Sequence, residues 1–337
     1  MRHLVFIGPG KVEWQDAPAP ELQGPGEAMV RPLAVARCDL DAAMMMGLAP
    51  YQGPFSLGHE FVGEVVEAGE EVHFRPGQRV IVSFQICCGG CDQCSRGFTG
   101  SCQAAQPGAM YGIEPMGGPW GGALAELVRV PYANAMMVPL PEGIRPADVA
   151  SLSDNISDGW RAVGPQLAAR PGAPVLVMGG LAASVGLYAA ASAVAAGASQ
   201  VDYRDTDPER LRLAALVGAN PIEGPPPRKA GSYPITVDAS ANPAALSCAV
   251  LSTEANGVCT CVAIYFVPPT MPLAQMYTKG ITFLTGRVNS RACIPEVLEL
   301  VTSGKLKPEL LTGLVAPWED ADRAFGERIP KVVFARD

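Results

Sequence analysis

The apolar positions of the first half of the chain come in short runs broken by glycine and proline. Examples are "AMVRPLAVA" (28–36), "EFVGEVVEAG" (60–69), "QRVIVSF" (78–84) and "LAELVRVP" (124–131). Short β-type runs at such spacing predict an antiparallel, barrel-like β domain. The stretch "ARCDLD" (36–41) reads as the continuation of a strand that carries a cysteine and two acids. From about residue 155 the pattern changes. An apolar run at 174–178 predicts a strand, 184–196 a helix, "QVDYRD" (200–205) the next strand and 207–217 the next helix. Strands near 235–239, 258–263 and 281–285 follow, with a helix near 243–251. Strand alternating with helix predicts a parallel sheet covered on both faces, an α/β arrangement. Beyond residue 287 come a helix, "PEVLELVTSG" (295–304), and a last strand, "KVVFAR" (331–336).

Composition adjusts this picture in three places. A chain of 337 residues suggests about two domains. A net charge of −8 without a Lys/Arg-rich run argues against nucleic acid or an anionic membrane as partner. Residues 175–198 carry no charge and are long enough to cross a bilayer. A β-branched run, Gly-Gly and an alanine-rich segment ended by Gly197 instead read as strand, tight turn and buried helix. The first residues, "MRHLVFIGPGKVEW", lack the apolar length and cleavage site of a signal peptide, and the expectation is a cytoplasmic protein.

Ten cysteines in a reducing compartment point to metal ligands rather than disulfides. Cys88, Cys91, Cys94 and Cys102 form C-x2-C-x2-C-x7-C, and Gly89 and Gly90 allow the tight turn between the first two. Four thiolates close a tetrahedron around Zn²⁺ with no open position, as a structural site requires. A second constellation is scattered: Cys38 in "ARCDLD", and His59 with Glu60 in "GHEFVGEVVEAG". Histidine is scarce, three in the chain, and His3 and His73 stand in ordinary contexts.

In order along the chain, these motifs resemble the zinc-dependent medium-chain dehydrogenase/reductases, typified by alcohol dehydrogenases. The matching positions are Cys38 and Asp41; Gly58, His59, Glu60, Gly63, Val65 and Gly69; the four-cysteine lobe; and the βα unit from 174. The resemblance covers essentially the whole chain. It implies a GroES-like β-barrel catalytic domain (1–154 and 287–337, with a structural-zinc lobe at about 85–105) and a Rossmann-type doubly wound parallel-sheet domain (155–286). It implies a catalytic zinc held by Cys38, His59 and Asp154, the last in "SLSDNISDGWRAV" (151–163). Glu60 would lie beside the metal and Asp41 behind His59, where a carboxylate fixes the imidazole tautomer. Three ligands leave a position open for water or a substrate oxygen. About two zinc ions per chain are expected.

In the second half, "GGLAASVG" (179–186) should bring backbone N–H groups and a helix N-terminus to a pyrophosphate. The turn is longer than G-x-G-x-x-G, so its register is open. Gly179, Gly180, Ala182, Val185 and Gly186 are the expected cofactor-facing positions. Asp205 ends the second strand about 20 residues after Gly186, where an acid accepts from the ribose hydroxyls. Arg204 and Arg210 lie close enough to welcome a 2′-phosphate instead; the two acids Asp205 and Asp207 favour NAD over NADP. Asp207 before Pro208 has the form of a helix N-cap.

One departure from the family shapes the functional expectation. Alcohol dehydrogenases follow the cysteine with x-[Ser/Thr]-Asp and often a histidine two residues on, forming a proton relay. Here those positions are Leu40 and Ala43, neither of which carries a proton. The leading expectation is interconversion of a secondary or hydrophobic alcohol and its ketone or aldehyde, with a bound water, Glu60 or Asp158 moving the proton. Reduction of a conjugated C=C bond and a non-catalytic nucleotide-binding role are the alternatives. Leu40 and Phe84 are the expected apolar lining of the substrate pocket. "GVCTCVAIYFVPP" (257–269) resembles the family's dimerising edge, so a homodimer or homotetramer through the nucleotide domain is expected.

Overall fold

Strands Ala28–Ala36 and Glu60–Ala68 pair antiparallel, with Val35 opposite Phe61 and Ala36 opposite Glu60. Their buried faces carry Val30, Val35, Phe61 and Val65, each withdrawn from solvent, and burial of such a side chain contributes roughly 1.5–3 kcal/mol. This pair is the spine of a seven-stranded sheet in the computed structural model, which describes residues 1–336. Strand Arg79–Val82 and then Met137–Pro139 extend the sheet on one side, and Val128–Val130 pairs with the start of Ala28–Ala36. Strand Val332–Ala335 flanks the other side of Ala28–Ala36, with Leu314–Pro317 outside it. A three-stranded sheet, with Arg2–Gly8 between Lys11–Asp16 and Phe55–Ser56, completes the β structure of this unit. The unit comprises Met1–Ser157, Val288–Thr302 and Thr312–Asp337.

The register has a direct consequence. The end of Ala28–Ala36, the start of Glu60–Ala68 and the start of Val332–Ala335 coincide, because Ala36 faces both Glu60 and Val333. A 3-10 turn, Ala150–Ser153, docks there through the Phe61 N–H donating to Ser153 Oγ (3.0 Å). Cys38, His59, Asp154 and Lys331 therefore leave four separate segments at one place.

"ARCDLD" is not continuous strand. The strand stops at Ala36, Cys38 takes extended backbone as an N-cap, and Asp39–Met45 is a helix. The acids explain the switch. Asp39 and Asp41 occupy the first helical turn, where the helix dipole favours negative charge, and Asp41 Oδ2 accepts from the Cys38 N–H at 3.0 Å. The run 124–131 is also shorter than its pattern suggests: only Val128–Val130 is strand, while Ala123 and Leu124 bond across to Gly58 and Leu57.

The second unit, Asp158–Arg287 with Ser303–Leu311, holds a six-stranded, wholly parallel sheet. The spatial order is Asn220–Glu223, Val201–Asp205, Val175–Met178, Tyr233–Asp238, Thr253–Cys261 and Thr282–Thr285. Numbered along the unit this is 3-2-1-4-5-6, the doubly wound order, with its reversal between Val175–Met178 and Tyr233–Asp238. Helix Ala183–Ala195 follows the first strand and lies tight against the sheet at Gly186, where a Cβ would come within 2.8 Å of Ala239 Cβ. Strand Asn220–Glu223 and helix Asn155–Ala169 escape the sequence pattern. The helix carries Gly159, Gly164 and Pro165, which mask its period.

Candidate active site

In the first unit, donor atoms of Cys38, His59, Glu60 and Asp154 all lie within 4.8 Å of one another, and all four residues are buried. His59 turns Nε2 towards Asp154 Oδ2 (3.5 Å) and Nδ1 towards Asp41 Oδ2 (4.0 Å). The second distance is an ion-pair separation, longer than a hydrogen bond, and His59 Nδ1 and Asp41 Oδ1 have no hydrogen-bond partner. Cys38 Sγ stands 3.6 Å from Asp154 Oδ2 and accepts the Leu40 N–H at 3.5 Å.

The electrostatics of the cluster suit a cation at its centre. Burial, reinforced by Asp154, Glu60 and Asp41, pushes the Cys38 thiol well above its ordinary range. Burial opposes charge on His59, but Asp41, Asp154 and Glu60 outweigh it and raise the imidazole to about 9. Burial lifts Glu60 to about 7 against the pull of Lys331. By themselves the Cys38 thiol and the Glu60 carboxyl are pushed towards their protonated forms, and the surrounding acids hold a proton on His59. A divalent metal reverses that, since a coordinating thiol is deprotonated outright. The mixed S, N and O donor set fits zinc.

The cysteine lobe is a second such group. The donor sulfurs of Cys88, Cys91, Cys94 and Cys102 lie within 4.8 Å of one another, and none is in a disulfide. Backbone amides point at the sulfurs: Cys88 N–H to Cys102 Sγ (3.3 Å), Cys91 N–H to Cys88 Sγ (3.4 Å) and Gln103 N–H to Cys91 Sγ (3.4 Å). The Gln103 and Cys94 amides lower Cys91 to about 6, within thiolate range at neutral pH. Cys87 points elsewhere, and burial raises its thiol to about 12.

Phe84 lies with its ring 5.7 Å from the His59 ring, and Leu40 is half-buried at the start of the helix after Cys38. Two residues bound to the cluster carried no sequence signal. Asn155 donates from Nδ2 to Asp154 Oδ2 (3.0 Å) and reaches Cys38 Sγ (3.4 Å). Lys331, wholly buried, donates to Glu60 Oε2 (3.1 Å) and Asn155 Oδ1 (2.7 Å). An asparagine next to a candidate ligand and a lysine opening a terminal strand look ordinary in sequence. The topology makes them neighbours.

In the second unit a cavity of about 230 Å³ opens at the switch point, lined by Gly179, Gly180, Asp205 and Arg210 among others. The same wall holds Leu181, Ser240 and Asn242, together with Arg204, which the sequence offers as a partner for a 2′-phosphate. Gly180 lets the turn approach the Ser240 backbone, where a Cβ would come within 2.5 Å of the Ser240 carbonyl oxygen. Ala182, Val185 and Gly186 do not line the cavity. The Ala182 N–H is used by the Ala239 carbonyl (3.0 Å), Val185 is buried, and Gly186 packs beneath the helix. Asp205 accepts two bonds from the Arg210 guanidinium (both 2.7 Å) and the N–H groups of Thr206 (2.7 Å) and Asp207 (3.0 Å). Burial works against its charge, and these donors more than offset it, holding Asp205 below its ordinary range. Asp207 caps helix Pro208–Leu216 by accepting the Arg210 N–H at 2.9 Å. The helix N-terminus at Ala182 has no side-chain cap, which leaves the turn suited to a pyrophosphate.

A buried S/N/O cluster in one unit and a doubly wound sheet with a cavity at its switch point in the other are the parts that a metal-dependent oxidoreductase requires. Comparison with known proteins agrees. The family description "Alcohol dehydrogenase GroES-like domain" matches residues 24–142. The chain is 30% identical over 334 residues to a probable zinc-binding alcohol dehydrogenase of Mycobacterium tuberculosis, spanning 96% of this chain and 84% of that protein. It is 38% identical over 233 residues to the glutathione-independent formaldehyde dehydrogenase of Pseudomonas aeruginosa, covering 64% of this chain and 57% of that protein. The solved structure of alcohol dehydrogenase TADH from Thermus sp. ATN1 superimposes over 100% of both chains, with a TM-score of 0.91 and 33% identity. The chain belongs to the zinc-dependent alcohol dehydrogenase family of medium-chain dehydrogenase/reductases. It is a zinc-dependent oxidoreductase. Among the described residues, no helix is long and apolar enough to cross a membrane.

Proposed function

We propose that the protein interconverts a secondary or hydrophobic alcohol and its carbonyl counterpart, using NAD in preference to NADP. The observation that carries this reading is the convergence of Cys38, His59 and Asp154, with Glu60 beside them, within 4.8 Å. These three residues would hold a catalytic zinc, and the cysteine lobe a structural one, two per chain. When bound, the zinc supplies a Lewis acid for the substrate oxygen and the nicotinamide supplies the hydride acceptor or donor. Asp41 attracts the far side of the His59 ring and favours a proton on Nδ1, leaving Nε2 free to ligate. Phe84 and Leu40 give the cluster apolar neighbours that exclude water and suit an apolar substrate end. Asp205 with Arg210 would meet the adenosine ribose, the carboxylate supporting NAD.

Proton movement falls to Glu60 in this reading. Leu40 and Ala43 carry no proton, and Asp158 is committed to Arg161 Nε at 2.6 Å. Glu60, beside the ligand atoms and paired with Lys331 (3.1 Å), is a carboxyl placed to accept or pass that proton. The absent relay also keeps a second reading alive, reduction of a conjugated C=C bond with the proton delivered to carbon. For assembly, the edge strand Thr282–Thr285, paired on one side only among the described residues, and the exposed side chains of Val267, Leu273 and Tyr277 support a homodimer or homotetramer through the second unit.

Cofactor fluorescence with secondary alcohols, ketones and enones, each with NAD and NADP, tests the proposal. Turnover of alcohols with NAD is expected; turnover of enones alone would replace the leading reading with the second. Elemental analysis should return two zinc ions per chain, and none would remove the mechanism. Leu40→Ser restores a hydroxyl at the relay position and should speed alcohol oxidation near neutral pH. An unchanged rate would show that another group already carries the proton.

A further inference from the structure

Lys331 presents an ammonium to three acceptors inside the first unit: the Arg37 carbonyl (2.9 Å), Glu60 Oε2 (3.1 Å) and Asn155 Oδ1 (2.7 Å). The Asn155 contact fixes the amide. An ammonium is a donor only, so the oxygen must face it and the NH₂ must face away. That NH₂ lies 3.0 Å from Asp154 Oδ2 and 3.4 Å from Cys38 Sγ. One amide therefore touches two ligands that come from distant parts of the chain. Lys331 is itself held in place. Arg37 donates to the carbonyls of Phe325 (2.7 Å) and Ile329 (2.6 Å), pinning the loop that leads into it.

We propose that Lys331 and Asn155 form one positioning unit for the metal site. Lys331 orients the Asn155 amide, and the amide's N–H groups steady the Cys38 sulfur and the Asp154 carboxylate in a metal-ready arrangement. The proposal rests on the reading that Cys38, His59 and Asp154 hold a metal. Its physical basis is that a buried polar network with each member satisfied admits one orientation, and that hydrogen bonds to ionised acceptors are the strong ones. Lys331 also balances Glu60, whose carboxylate would otherwise add an uncompensated negative charge to the cluster.

The test uses the full-length protein with its metal in place. Asn155→Leu removes the N–H groups at nearly constant volume. Lys331→Met removes the cation, Lys331→Arg retains charge, and the double variant Asn155→Leu/Lys331→Met completes a cycle. Release of zinc to a chromophoric chelator gives the metal affinity of each site. After selective cobalt substitution of the Cys38 cluster, with zinc kept in the cysteine lobe, the thiolate-to-cobalt band reports the Cys38 bond independently of turnover. Melting temperature is recorded in parallel.

Asn155→Leu should weaken one of the two metals by about 10–100-fold and shift the cobalt spectrum, with release from the cysteine lobe unchanged. Lys331→Met should do the same, Lys331→Arg should recover part of the loss, and the double variant should be no worse than the worse single. Wild-type release and an unchanged cobalt spectrum in Asn155→Leu would overturn the proposal, as would fully additive effects. If Lys331→Met does not fold, Asn155→Leu and Lys331→Arg decide. Wild-type protein that retains metal only in the cysteine lobe would sink the ligand assignment itself, and with it the proposal.

Discussion

Asp205 carries a carboxylate whose two oxygens are already occupied by Arg210 and two backbone amides. Its pKa is lowered from 3.8 by those donors, against burial. The sign follows: the stabilisation is fully present above the unfolded value and is lost as pH falls through the lower folded one. Thermal melts from pH 5 downwards should therefore show a shallower acid limb in Asp205→Asn than in the parent. The same variant should bind NADH about tenfold or more weakly by cofactor fluorescence, the loss of one charged hydrogen bond of roughly 1.5–3 kcal/mol. Equal affinity would mean that Arg210, not Asp205, meets the ribose. At this scale the sequence was legible where a residue type is rare or its neighbours are fixed, as with His59 and Glu60. Asn155 and Lys331 were hidden because nothing local distinguishes them; their meaning comes from distant partners, Cys38 at 117 positions from Asn155 and Asn155 at 176 from Lys331.

At the level of elements, the cysteine lobe and the glycine turn behave differently under substitution. The lobe is local in sequence, and its cysteines are read from spacing alone. Cys91→Ser should lower metal stoichiometry by one and open residues 85–105 to protease, with the Cys38 cluster still able to hold its own metal. Limited digestion with elemental analysis checks both. Gly186 is a packing position. A valine there forces carbon into Ala239, 2.8 Å from the added Cβ, and should cost about 1–3 kcal/mol, measurable by denaturant titration. The turn's register could not be read in advance because alanines stand where glycines were expected. The Ala239 and Ser240 carbonyls, which accept from the Ala182 and Leu181 N–H groups, settle the turn's local geometry. The helix after Cys38 was likewise concealed, since its seven residues are too few to display a period.

For the whole molecule, alternation of strand and helix was enough to give the parallel sheet, because each βα repeat is contiguous in sequence. The edge order and the additional strand Asn220–Glu223 were not accessible, since neither leaves a periodic trace in a four-residue run. Edge strand Thr282–Thr285 carries the assembly prediction: sedimentation should find the parent as a dimer or larger, and Leu284→Lys should shift it towards monomer. The seven-stranded sheet has another consequence, for the order of events during synthesis. The four cysteines of the lobe emerge from the ribosome almost together and can capture an ion early. Glu60 must wait: Lys331 is made 271 residues later, after the entire second unit. Ribosome-stalled chains ending near residue 311 should thus load the cysteine lobe but not the Cys38 cluster, so the two ions would enter one protein at different stages of its manufacture.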